Sequence, residues 1–154
     1  ETRKLHFEIS GFTYRMALID PDSIRDEPAI PELESEGQVM VEAKRLSRGV
    51  TAADMVADHL ALGIDVEADE FYLDADGDQD DVHLGVARED LESLDAVDVE
   101  SLFSLDYLKD MEVVIPSDTM TRLELGEEFP VKLHFSRASS SVEVTFMLAP
   151  RIQN

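Results

Sequence analysis

Several residue types that support common protein chemistries are absent or scarce in this chain. It has no cysteine and no tryptophan, and only four of its 154 residues are lysine. Without cysteine, disulfide bonds and thiolate catalysis are excluded, and a zinc site is disfavoured. No apolar run approaches the ~20 residues that a membrane-spanning helix needs. We therefore expect no membrane partner.

Positive charge is also scarce, because 35 acidic residues stand against 13 basic ones and the formal net charge is -22. The hydrophobic content is still 44%, which is too high for a disordered acidic segment. Self-repulsion at this charge destabilises the compact state at low salt, whereas molar salt screens it over a few ångströms. The composition fits an ordinary acidic protein or one adapted to a salt-rich cytoplasm, and the scarcity of lysine favours the second interpretation.

Alternating apolar residues predict a β-hairpin at the start of the chain. Leu5, Phe7 and Ile9 alternate with polar residues, Ser10-Gly11 provides a turn, and a second alternating run covers residues 12–18. Residues 20–37 then contain three prolines and many acids without periodicity. This composition indicates an extended linker.

Period-two patterns resume after the linker and predict a domain rich in strands. The predicted strands lie around residues 39–43, 60–66, 71–75, 82–86, 91–97, 123–125, 131–135 and 142–148. Their short, alternating runs are typical of antiparallel sheets with one buried face.

Two segments instead have the period of a helix. In the first, Leu46 and Val50 align on one side, and Ser47 or Thr51 is the candidate cap. The second covers residues 105–115 and follows Ser104, which has the pattern of an N-cap. Antiparallel sheets with two short helices on one face predict an α+β fold.

Residue patterns typical of an enzyme are not found in the sequence. The stretch DADGDQDD at residues 74–81 resembles a calcium loop only in composition, because Gly77 comes two places too early for an EF-hand. We interpret it as a solvated acidic turn between two strands. The histidines lack metal-ligand spacing, and no glycine-rich phosphate loop is present. We therefore expect no catalytic residue, no metal and no cofactor, and a metal-dependent hydrolase would require a bound ion with several protein ligands.

The few basic residues are partly clustered. Lys44, Arg45 and Arg48 lie at the start of the first predicted helix, and Lys109 lies on the second. These charges neutralise only a few phosphates, so by themselves they predict weak DNA binding that depends strongly on salt.

Apolar residues are predicted on the solvent-facing side of the last strand and directly after it. Period two directs Phe146 and Leu148 inward and Met147 outward, and Ala149 and Pro150 follow directly. An exposed apolar patch on an acidic protein is typical of an interaction site, and methionine adapts to varied apolar partners.

Four stretches carry a family resemblance. The segments SLFSLDYLKDM (101–111), LGEEFPVKLHF (125–135) and MLAPRI (147–152) resemble the proliferating-cell nuclear antigen (PCNA) sliding clamp, and LIDPDSIRDEPAIPELE (18–34) resembles its interdomain connecting loop. The acidity is similar to the haloarchaeal type. In that family, three subunits of two similar domains form a ring, with sheets outside and helices lining a hole for duplex DNA. The resemblance implies that residues 1–19 end an incomplete first domain, residues 20–37 form the connecting loop and residues 38–154 form the second domain.

The resemblance also implies three sites. A pocket for PCNA-interacting peptides would be formed by Pro28, Ile30, Pro31, Pro130, Met147, Ala149 and Pro150. Subunits would join by antiparallel pairing of two edge strands, through Phe12, Tyr14, Arg15 and Met16 on one and Val82, His83, Leu84 and Val86 on the other. The positions that face DNA would be Lys44, Arg45, Arg48 and Lys109.

The implied function is that of a non-enzymatic processivity factor. A full-length homotrimer would encircle duplex DNA without sequence preference and dock DNA polymerase, clamp loader, flap endonuclease and ligase, in the cytoplasm at the prokaryotic nucleoid. Family helices are usually richer in basic residues, whereas Asp106 and Asp110 lie on the second helix here. We therefore expect the ring to hold DNA topologically, with salt cations neutralising its lumen. The alternative is a stand-alone acidic protein-binding module, or a checkpoint-clamp relative, that does not encircle DNA.

Overall fold

A computed structural model describes residues 3–23, 34–136 and 142–152 of the chain. The chain divides into two compact units, Glu1–Leu33 and Glu34–Asn154. In the first unit, β1 (Lys4–Ile9) pairs with β2 (Phe12–Ala17) in an antiparallel hairpin. Ser10 and Gly11 between them have φ values of 48° and 85°, as a tight hairpin turn requires. The predicted hairpin is therefore confirmed.

The second unit is built from strands and two α-helices within its described residues. The strands are β3 (Gly37–Glu42), β4 (His59–Asp65), β5 (Glu70–Asp76), β6 (Asp81–Ala87), β7 (Ser93–Leu94), β8 (Val99–Ser104), β9 (Met120–Leu125), β10 (Val131–Ser136) and β11 (Glu143–Leu148). They form a five-stranded antiparallel sheet in the order β11-β10-β9-β3-β7 and a four-stranded antiparallel sheet in the order β6-β5-β4-β8.

The helices and both sheets share one apolar core. Val39 and Leu123 from the five-stranded sheet, Leu62 and Phe71 from the four-stranded sheet, and Leu46 from the first helix belong to the same buried cluster. Alternate residues of each central strand are buried, which is the pattern expected when one face of a sheet is covered. The α+β architecture predicted from the sequence is confirmed.

The first helix begins earlier than the sequence suggested. Helix α1 spans Ala43–Ala53 with Glu42 as N-cap, so the predicted caps within it were wrong. The helix begins directly after the last residue of β3 that pairs with β9. At this boundary, Ala43 N donates to Thr119 O at 2.9 Å. Gly49 lies on the buried side, where a Cβ atom would come within 2.5 Å of Leu73, so this glycine allows the helix to approach β5 closely.

The second helix agrees better with its sequence pattern. Helix α2 spans Leu105–Glu112 and Ser104 occupies its N-cap position, although its side chain makes no capping hydrogen bond. The two helices are linked by a short hydrogen bond of 2.5 Å from Ser47 Oγ to Glu112 Oε1. Ser47, a predicted cap, therefore contacts the neighbouring helix instead.

One strand was misplaced in the sequence interpretation. The predicted strand around residues 91–97 is reduced to the two-residue β7, and the longer β8 at Val99–Ser104 was not predicted. Its inward positions are Val99, Ser101 and Phe103, and the central serine interrupts the apolar alternation. Ser101 is buried because its hydroxyl satisfies two backbone groups, as described below.

The acidic stretch at residues 74–81 is a hairpin turn, as predicted. It connects β5 to β6, and Gly77 N donates to Asp80 O at 2.9 Å across the turn. Among the residues that the structure describes, no group of three or more His, Cys, Asp or Glu side chains is placed to hold a metal ion. Within the same residues, no helix is long and apolar enough to cross a membrane.

Candidate functional site

An apolar wall forms where β10 begins and the antiparallel strand β11 ends. Lys132 lies opposite Met147, and Val131 lies opposite Leu148. Continuing this register places Pro130 beside Ala149 on the outer face, the same face as Met147. The side chain of Met147 is 36% exposed, whereas Leu148 packs on the core. The predicted outward direction of Met147 is confirmed.

Two backbone contacts hold this wall in place. Ser101 Oγ, on β8, donates to Gly126 O at 2.8 Å and accepts from Phe129 N at 2.9 Å. The loop before Pro130 is thereby fixed to the four-stranded sheet. Sequence reasoning did not identify Ser101 as a positioning residue, and the available signal was a serine at an inward strand position.

The segment after Met147 crosses from one sheet to the other. Arg151 N donates to Leu102 O on β8 at 2.7 Å, and the Arg151 guanidinium contacts the His59 ring on β4. The chain thus leaves the edge of the five-stranded sheet and attaches to the edge of the four-stranded sheet. This attachment fixes the Ala-Pro step between two anchored residues.

We call Pro130, Met147, Ala149 and Pro150 the apolar wall. Ala149 is exposed, and Pro130 and Pro150 are half-buried. The structure brings these four predicted pocket residues together. The other three predicted pocket residues, Pro28, Ile30 and Pro31, lie outside the described residues.

The two strands predicted to join subunits both have a free edge among the described residues. Strand β2 pairs only with β1, and strand β6 lies at the end of the four-stranded sheet. The side chains of β2 are exposed throughout, with Phe12 at 77% and Tyr14 at 62%, and Arg15 and Met16 are exposed with them. On β6, Val82 and Leu84 are half-buried and Val86 is buried.

His83 gives β6 a polar anchor on its other face. Its Nε2 lies 3.2 Å from Glu70 Oε1 and its Nδ1 lies 3.6 Å from Asp74 Oδ1. The ring stacks on Tyr72 with a centroid distance of 5.9 Å. Tyr72 in turn donates its hydroxyl to Glu100 at 2.7 Å, and burial together with this hydrogen bond raises the pKa of Tyr72. All three partners of His83 lie on β5, so these contacts direct His83 toward the strand on the paired side of β6.

Carboxylates engage most of the cations predicted to face DNA. Lys44 Nζ lies 2.9 Å from Glu42, and this contact holds the pKa of Glu42 below its ordinary value. Arg45 lies 3.6 Å from Glu42 and 3.3 Å from Asp90. Both basic side chains at the start of α1 therefore have partners of opposite charge.

Lys109 and Arg48 differ in whether a carboxylate pairs with them. Lys109 Nζ lies 2.8 Å from Asp54 Oδ1, and this hydrogen bond raises the pKa of Lys109, assisted by the nearby charges of Asp106 and Asp110. Arg48 is exposed and has no ion-pair partner among the residues that the structure describes. Of the four predicted cations, Arg48 alone presents an uncompensated charge within that part of the chain.

Curated relatives match the chain from end to end. It is 58% identical over 154 residues to the DNA polymerase sliding clamps of Natronomonas pharaonis and Haloarcula marismortui, and 40% identical to that of Methanococcoides burtonii. The chain spans 62% of the length of each of these relatives. No protein-family model matches the sequence.

Solved structures agree with these relatives. PCNA of A. fulgidus, solved with the C-terminal region of FEN-1 bound, superposes with a TM-score of 0.88 at 32% identity, over 98% of this chain and 61% of that one. PCNA of Thermococcus kodakaraensis superposes with a TM-score of 0.78 at 23% identity, over 96% of this chain and 60% of that one, which supports the fold. The resemblance stated from the sequence is thus confirmed: over its whole length the chain is similar to haloarchaeal DNA polymerase sliding clamps, and it has the fold of the PCNA sliding clamp.

Proposed function

We propose that this chain is the C-terminal part of a DNA sliding clamp, a ring that encircles duplex DNA and docks replication and repair enzymes. Similarity to named sliding clamps over the whole chain, together with the shared fold, is the observation that carries the proposal. Residues 1–19 would end the first clamp domain, residues 20–37 would connect the domains, and residues 38–154 would form the second domain.

Ring closure would use the free edges of β2 and β6. Each strand offers six or seven residues of backbone for antiparallel pairing with a strand of another subunit, and such edge-to-edge addition provides affinity through main-chain hydrogen bonds. Phe12, Tyr14 and Met16 lie opposite the apolar residues of β1 on one face of the hairpin, so the rest of the first clamp domain would cover them and the backbone edge of β2 would remain for the neighbouring subunit. Two complementary edges per chain allow head-to-tail closure into a ring, and the family resemblance implies that the full-length protein closes as a homotrimer.

The apolar wall would be one side of the partner-peptide pocket. Met147 and the Ala-Pro step present an adaptable apolar surface on a chain of net charge -22, and an exposed apolar patch of this kind is typical of a protein-interaction site. The C-terminal region of FEN-1 is bound to A. fulgidus PCNA in the solved complex. We propose that flap endonuclease, DNA polymerase, ligase and the clamp loader reach this chain through the same kind of peptide.

Helices α1 and α2 would line the hole for DNA. Because three of their four cations already pair with carboxylates, direct phosphate contact would be sparse and the ring would hold DNA by enclosing it. Salt cations would neutralise the remaining acidic surface. We propose that the clamp acts in the cytoplasm, at the nucleoid, and we propose no catalytic activity for the chain.

The test is topological. The full-length protein is loaded by its clamp loader on a closed circular plasmid and on the same plasmid cut once, in molar salt, and its mass is measured in the same buffer. We expect a trimer that stays on the circle and is lost from the linear form. A monomer at every salt concentration, or equal retention on both forms, would favour the stand-alone module.

A further inference from the structure

A depression lies on the outer face of the five-stranded sheet, outside the three sites described above. It has a volume of about 360 Å³ and is lined chiefly by Met40, Met120, Arg122, His134, Glu143 and Thr145. Met40 lies opposite Arg122, and His134 lies opposite Arg122 on one side and Thr145 on the other. The floor of the depression is therefore formed by neighbouring strands in register.

This depression continues the surface of the apolar wall. Thr145 and Met147 share the outer face of β11, and His134 and Lys132 share the outer face of β10. Successive side chains on one face of a strand are about 7 Å apart, so the depression begins one row away from Met147. A segment of four extended residues spans about 13 Å, which is enough to run from Met147 to Arg122, whose neighbours on the same face are Met40 on β3 and Met120 on β9.

The charge of this region differs from that of the rest of the chain. Glu124 lies beside the depression on β9, with a side chain only 14% exposed, and it lies 3.5 Å from Arg122, 3.4 Å from Lys132 and 3.0 Å from His134. The two permanent cations, Arg122 and Lys132, thus balance Glu124 and Glu143, so this region is close to neutral, whereas the chain as a whole carries a net charge of -22. Glu143 lies at the rim farthest from Met147.

Arg122 retains hydrogen-bonding capacity for a ligand. Its side chain is 43% exposed, and its contact with Glu124 at 3.5 Å is longer than the roughly 2.7–2.9 Å of a strong charge-assisted hydrogen bond. Met120, at 38% exposure, and Met40 border the guanidinium with adaptable apolar surface. A carboxylate beside an apolar side chain is the chemistry that this arrangement complements.

We propose that the depression binds the segment flanking a docked partner peptide, and that this segment presents a carboxylate to Arg122 and an apolar side chain to Met40 and Met120. The inference rests on the proposed peptide pocket. The apolar wall would set the position of the partner, and the depression would distinguish partners by the acidity of their flanks. Partners with basic flanks would gain nothing here.

Methyl NMR of the full-length clamp tests the placement, because four of the methionines report on three different surfaces. The probes are a synthetic PCNA-interacting peptide and the same peptide extended by Asp-Leu-Asp-Leu at either its N-terminus or its C-terminus. We expect the short peptide to shift the Met147 methyl signal alone. We expect one of the extended peptides to shift Met40 and Met120 as well, while Met55, exposed beyond the end of α1, stays unchanged.

Affinity measurements test the chemistry. At one salt concentration, the productive extension should tighten binding about tenfold, equivalent to about 1.4 kcal/mol. Arg122→Ala and Met120→Ala should each reduce that gain and leave the affinity of the short peptide unchanged. Arg3→Ala, which removes the same charge from an exposed residue of the first unit, is the matched control and should preserve the gain.

The outcomes separate this inference from the proposed function. If the short peptide does not shift Met147, the peptide pocket is misplaced and the inference fails with it. If the short peptide shifts Met147 but neither extension shifts Met40 or Met120, the pocket stands and the inference is overturned. A gain in affinity that survives both Arg122→Ala and Met120→Ala would also overturn it, as would Met40 and Met120 shifts without any at Met147.

Discussion

Replacing Arg48 provides a sharp test of how the helices meet DNA. Lys44, Arg45 and Lys109 each lie within 3.3 Å of a carboxylate oxygen, whereas Arg48 has no ion pair among the described residues. A phosphate that approached Lys109 would also approach Asp54, and it would be repelled. We therefore predict that each chain makes about one direct phosphate contact from these helices, through Arg48.

The magnitude follows from counterion release. Each phosphate contact contributes about 0.9 to the slope of log affinity against log salt concentration. Arg48→Ala should lower the slope by about 0.9 per chain, or by about 2.7 for three chains in one ring. The assay is fluorescence anisotropy of a short labelled duplex threaded through the full-length clamp, measured over a tenfold range of potassium chloride.

Two control variants make the result specific. The double variant Lys109→Ala with Asp54→Ala removes an ion pair without changing the net charge, and we expect it to leave the slope unchanged. Arg3→Ala removes one charge from an exposed residue outside the helices and should also leave it unchanged. An unchanged slope for Arg48→Ala, or an equal loss for the Lys109/Asp54 variant, would refute the reasoning.

Three further predictions concern the apolar wall, its support by Ser101, and the titration of His134. Met147→Glu should weaken binding of a PCNA-interacting peptide by about 2 kcal/mol by isothermal titration calorimetry, whereas Met55→Glu, at a position 76% exposed beyond α1, should not; equal losses would show that the effect is general acidity. Ser101→Ala leaves two backbone groups without their hydrogen bonds and should lower the free energy of unfolding by about 1–3 kcal/mol in urea titrations. Ser104→Ala removes no capping bond and should change it by less than about 0.5 kcal/mol, so similar costs for the two serines would contradict the assigned role of Ser101. Burial lowers the pKa of His134 from its ordinary 6.5, so the unfolded state takes up this proton first and stability should fall as the pH drops below about 6.5. His134→Gln should lack that part of the pH dependence, and parallel stability curves for the two proteins would contradict the assignment.

Local patterns predicted most of the fold because they report on one element at a time. The alternation in β5, β10 and β11 and the apolar side of α1 reflect which side of each element is buried. The prediction failed at β8, where a buried serine replaces an apolar residue. It also failed at the start of α1, because the boundary depends on where β3 stops pairing with β9.

The candidate sites depended more on long-range contacts. The sequence located Met147 and the basic residues of the two helices, but it did not show that Asp54 neutralises Lys109 from 55 residues away. Nor did it show the depression between Met40, Met120 and Arg122, because these side chains meet only through strand register. Pairing in space, and not residue type alone, decides which of these charges is available to a ligand.

The sequence by itself determined the fold class, the acidic surface and the outward direction of Met147, because composition and periodicity are properties of the local chain. The tertiary structure alone decided that Ser101 anchors the apolar wall, that the Ala-Pro step is held between two sheets, and that Arg48 is the uncompensated cation among those four on the described helices. These properties arise from contacts between residues far apart in the chain, and packing rather than periodicity brings such residues together.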